Sequence, residues 1–73
     1  MDEGPGPELS SLTTALDELT RRVAALAERH AGGPLDALAQ GLYEVERSMG
    51  EAGRRLARLT KGLAGGGRAG GAP

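Results

Sequence analysis

Leu35, Leu38, Leu42, Val45, Met49, Ala52, Leu56, Leu59 and Leu63 follow one another at alternating intervals of three and four residues. This is the seven-residue repeat of a helix that buries one seam against another helix. A shorter run with the same alternation precedes it: Leu9, Leu12, Leu16, Leu19, Val23, Leu26 and His30. Two such runs in one chain predict an all-α fold, an antiparallel two-helix coiled-coil hairpin.

The residues between the runs set their direction. Gly32-Gly33-Pro34 ends the first helix, because glycine takes the left-handed C-terminal conformation without a side-chain clash and proline follows where a helix cannot continue. The same tripeptide is expected to start the second helix, with Gly33 as N-cap, Pro34 at the first position and Asp36 in the first turn. So short a connection forces the helices antiparallel. The spacing predicts a flexible arm over 1–7, a helix over 8–31, a turn at 32–34, a helix over 35–64 and a disordered Gly-rich tail over 65–73. Pro7 fits the first helical position with Gly6 as its cap, and Glu8 suits the positive end of the helix dipole.

Labelling Leu9 and Leu35 both as heptad position a pairs the seams layer by layer, without a gap. Leu9 meets Leu59, Leu12 meets Leu56, Leu16 meets Ala52, Leu19 meets Met49, Val23 meets Val45, Leu26 meets Leu42, and His30 meets Leu38. The register also brings Leu35 opposite Gly33, at the turn. Agreement between independent features is what a sequence that specifies one fold shows.

The flanks of this expected seam differ. The g and c side carries Glu18, Arg22, Arg29, Glu44, Glu51, Arg55 and Arg58 and reads as solvated. The e and b side carries small residues, including Thr13, Thr20, Ala24, Ala27, Ala31, Ala39, Gly50, Gly53, Ala57 and Thr60, with Tyr43 and Glu46 as the large exceptions. Glycines inside the second helix, Gly41, Gly50, Gly53 and Gly62, each cost about 0.8–1 kcal/mol relative to alanine. They fit either a glycine-biased composition or a close approach by another backbone.

A bare hairpin of 73 residues at most orders a long stretch of chain against one apolar seam, so a second chain is expected to complete the core. The expected assembly is a homodimer forming a four-helix bundle, or a helix of another protein in the same place. Its expected interface is Thr20, Ala24, Ala27, Ala31, Tyr43, Gly50, Gly53 and Ala57, with Tyr43 as an anchor that brings area at little entropic cost.

Composition removes several function classes. Cysteine is absent and His30 is the lone histidine, so disulfides, thiolate zinc sites and Cys/His metal sites are not expected. Tyr43 is the single aromatic residue, which leaves no stacking platform for bases, and the formal net charge of −1 is unlike a protein built to coat nucleic acid. No apolar run approaches a membrane span and the first residues do not resemble a signal peptide, so a cytoplasmic location is expected.

No arrangement of residues suited to catalysis stands out. His30 sits beside the turn among leucines and glycines, without an orienting acid. Glu44 and Glu46 point to different sides, and the Gly-rich tail lacks the Lys-Ser/Thr of a phosphate loop. No enzyme activity, cofactor, metal or small-molecule substrate is expected. Arg54, Arg55, Arg58 and Lys61 crowd the end of the second helix, where cations suit the dipole. They make nucleic-acid or anionic-membrane binding the alternative function, although Asp2, Glu3 and Glu8 at the same end offset them. The leading expectation is a small non-enzymatic interaction module that serves as a coiled-coil adaptor, regulator or complex subunit.

Overall fold

The structure, a computed structural model, describes residues 4–64. Two helices, α1 (Gly6–His30) and α2 (Asp36–Ala64), pack against each other as a hairpin. Residues 1–3 of the expected arm and the whole expected tail, 65–73, lie outside the described residues.

Helix α1 begins two residues earlier than the sequence predicts. Pro5 occupies the N-cap and its carbonyl accepts the Leu9 N–H at 2.9 Å, so Gly6 is helical and Pro7 falls in the first turn. Proline is harmless there, because first-turn N–H groups have no intrahelical acceptor.

The turn carries the expected glycine and one element that the pattern did not disclose. Gly32 sits at φ +80°, the left-handed conformation. Its N–H donates to Asp36 Oδ1 at 2.6 Å, and the same oxygen accepts from Gln40 Nε2 at 3.3 Å. Asp36 N–H donates to the Gly33 carbonyl at 3.0 Å and Ala39 N–H to the Leu35 carbonyl at 3.1 Å. Gly33 is therefore not the N-cap of α2, as the sequence predicts. Pro34 and Leu35 complete a turn first, and α2 starts at Asp36.

The larger correction concerns the seam. Among the described residues the fully buried ones are Ala27 and Ala39, both at e positions. Around them, half-buried, lie Leu9, Thr13, Leu16, Thr20, Val23, Ala24 and Leu26 of α1 and Leu42, Tyr43, Glu46, Met49, Gly50, Gly53, Leu56 and Thr60 of α2. The helices thus meet mainly through positions a and e instead of a and d, with Leu26 the d residue that stays half-buried. Small side chains at e let the helix axes approach closely, whereas leucines at d would hold them apart. The axial register is kept to within one residue: a methyl group built on Gly53 would stand 3.8 Å from Leu16 Cδ2, where the sequence pairs Leu16 with Ala52.

Threonine in this contact has a specific consequence. Thr13, Thr20 and Thr60 each donate their hydroxyl to the carbonyl four residues back, at 2.9, 2.7 and 2.9 Å. The polar group is satisfied within its own helix, which frees the γ-methyl to pack. Among the described residues no buried side-chain nitrogen or oxygen lacks a partner.

Candidate protein-interaction face

Rotating the seam from a/d to a/e turns the d positions other than Leu26 out of the hairpin. From e to d is about 100° around each helix. Because α1 and α2 run antiparallel, that rotation carries both d rows to the same side. Leu12, Leu19, Leu38, Val45 and Leu59 project there, joined by Leu35 and Leu63 at the ends of the a row. These side chains are 46% to 60% exposed. Half-buried Leu16, Val23, Leu42, Met49 and Leu56 fill the strip between the rows, so the apolar surface is continuous along the hairpin.

The molecule is one helix thick. Among the described residues no second layer covers the leucines, and the shortest principal extent is 10 Å. Aligned apolar side chains on one face of a thin slab are an exposed patch of the sort that soluble chains reserve for contacts.

The opposite side is different in kind. Asp17, Arg21, Gln40, Arg47, Arg54 and Lys61 are exposed there, and Arg21 bonds Asp17 one turn away. Both partners are well exposed, which makes the pair a weak contributor to stability. A shallow groove on this side is lined by Thr13, Asp17, Thr20, Gly50, Arg54 and Ala57.

The residues expected to form the interface are divided by this geometry. Ala27 is buried between the helices, and Thr20, Ala24, Tyr43, Gly50 and Gly53 are half-buried along the hairpin's own contact. Ala31 is exposed in the turn and Ala57 is exposed beside the groove. Within the hairpin none of the α2 glycines is required by packing. A methyl on Gly41 or Gly62 meets nothing within 4 Å, one on Gly50 meets the Arg54 guanidinium at 3.6 Å, and the one on Gly53 makes an ordinary contact.

Arg54, Arg55, Arg58 and Lys61 are all exposed. Arg54 and Lys61 belong to the charged side, while Arg55 and Arg58 lie on the outer edge of α2, next to the leucine face. Tyr43 lines a polar depression with Gln40, Glu46 and Arg47. His30 is half-buried at the end of α1, and its carbonyl accepts the Gly33 N–H at 3.2 Å. Among the described residues no group of three His, Cys, Asp or Glu side chains is placed to hold a metal, and no helix is long and apolar enough to cross a membrane.

Comparison with protein-family models, curated proteins and solved structures finds no match. The leucine face itself is thus the ground for a functional reading. Sequence reasoning had every one of its residues but assigned them to the interior. The signal that separates the two arrangements is the third apolar position. Apolar or small residues at a, d and e form a stripe wider than one helix contact can cover.

Proposed function

We propose that this protein is a small non-enzymatic interaction module whose leucine face packs against another helical surface, so that the hairpin supplies two helices of a four-helix bundle. The observation that carries the proposal is the row of half-exposed d-position leucines on one side of a slab one helix thick. Leaving their exposed half in water forgoes about 0.8–1.5 kcal/mol for each such side chain that could be buried. An adaptor, regulator or subunit of a complex uses a surface of this kind, and catalysis has no part in it.

Polar replacement of the face tests the proposal. In Leu19→Asn/Val45→Asn, a face that works in contact predicts a clear fall in helicity and melting temperature together with loss of association. If the double variant melts with the wild type or above it, the leucines serve in water and the proposal fails.

The anion-binding alternative draws on the exposure of Arg54, Arg55, Arg58 and Lys61. It predicts heparin retention that falls steeply with salt and survives the leucine replacements. The interaction module predicts neither.

A further inference from the structure

Outside the leucine rows, the g and c positions of each helix make an outer edge, and the two edges are charged in opposite order. From the open end of the hairpin toward the turn, α1 presents Glu8, Glu18, Arg22 and Arg29, while α2 presents Arg58, Arg55, Glu51 and Glu44. All of these side chains are exposed. We propose that the leucine face is covered by a second copy of this chain, related by a two-fold axis parallel to the helices. The turns of the two copies then lie at the same end, and α1 of each copy faces α2 of the other. The inference rests on the reading of the protein as an interaction module and names its partner.

A rotation about an axis parallel to the helices leaves every residue at its own height, so the register between copies is the register inside the hairpin, where the Leu16 side chain lies against Gly53. At that register Arg22 lies about one helical turn from Glu51 of the other copy, Arg29 the same distance from Glu44, and Glu18 the same from Arg55. Side chains tilt toward the N-terminus of their own helix. In antiparallel neighbours those tilts converge across this offset, so all three pairs close, and symmetry makes each of them twice.

A copy turned end over end sets each edge against itself. The register that joins Glu18 to Arg22 then leaves Glu8 and Arg29 most of a turn out of step, and fewer pairs form. An unrelated helical partner gives no reason for the edge of α1 to complement the edge of α2. Self-complementarity is the mark of an isologous contact.

Glu18 with Arg22 and Glu51 with Arg55 are also spaced for contact within one helix, so the test separates contacts between chains from contacts within them. Two full-length variants are prepared, Arg22→Glu/Arg29→Glu and Glu44→Arg/Glu51→Arg, and self-association is followed by sedimentation equilibrium. Each variant alone is expected to associate about tenfold or more weakly than the wild type. Their equimolar mixture is expected to form a one-to-one heterodimer of near wild-type affinity, because one copy's wholly acidic α1 edge then faces the other's wholly basic α2 edge.

Weakened variants without recovery on mixing would overturn the arrangement. A wild-type chain that stays monomeric at concentrations on the order of 100 μM would overturn the second copy as partner. The interaction-module reading would survive that result and falls if the Leu19→Asn/Val45→Asn chain melts with the wild type or above it.

Discussion

Leu16 reaches across the hairpin to Gly53, where an added methyl would stand 3.8 Å from Leu16 Cδ2, at ordinary van der Waals distance. Gly53→Ala is therefore expected to raise stability by up to about 1 kcal/mol through helix propensity, without moving α1. Gly41→Ala and Gly62→Ala, with open space at the added methyl, should behave alike. Thermal unfolding by circular dichroism checks all three, and a drop at Gly53 alone would show that the helices approach more closely there.

Ala27 has no exposed surface. In a seam built on a and d its e position would lie on the flank, and a larger side chain would be harmless or helpful. In the a/e contact Ala27→Leu overpacks the space between the helices near the turn and is expected to cost about 1–3 kcal/mol. Ala25→Leu, at an exposed position two residues away, should leave stability within about 0.5 kcal/mol. Denaturant midpoints of the two variants decide between the seams.

The turn rests on Gly32 at φ +80° and on the Asp36 carboxylate that accepts its N–H at 2.6 Å. Gly32→Ala forces a side chain into the left-handed region and is expected to cost about 1–2 kcal/mol. Asp36→Ala removes the acceptor and should cost about 1 kcal/mol, with partial recovery in Asp36→Asn. Loss at both positions without loss of helicity at saturating protein would place the effect in the turn.

Thr20 donates its hydroxyl to the Leu16 carbonyl at 2.7 Å, which leaves its methyl as the group free to pack. Thr20→Val keeps the methyl and is expected to stay within about 0.5 kcal/mol of the wild type. Thr20→Ser loses it and should cost roughly 0.8 kcal/mol. Equal effects of the two would mean that the hydroxyl matters and the methyl does not.

The turn and the antiparallel direction were legible in the sequence because Gly32-Gly33-Pro34 leaves the chain few choices, and the pairing of Leu16 near Gly53 followed from the length of that turn. The side on which the helices meet was not legible from the heptad alone. Leucines at d and small residues at e both offer a contact, one by area and the other by closeness, and seam spacing does not rank them. Asp36 escaped as a turn element because it read as an ordinary first-turn carboxylate, whereas it reaches back to Gly32. The candidate interface moved for the same reason as the seam: Ala27 and Ala39 were spent inside the hairpin, which left Leu19 and Val45 outside.

The most direct measurement of the central claim is the attenuation of methyl NMR signals by a soluble paramagnetic agent, with the full-length chain at high concentration. If the leucine face is an occupied interface, the methyls of Leu12, Leu19, Leu38, Val45 and Leu59 will be shielded as well as those of Leu16 and Leu42, and the shielding will fall on dilution. Strong attenuation of those d-position methyls at every concentration, with Leu16 and Leu42 alone protected, would contradict it.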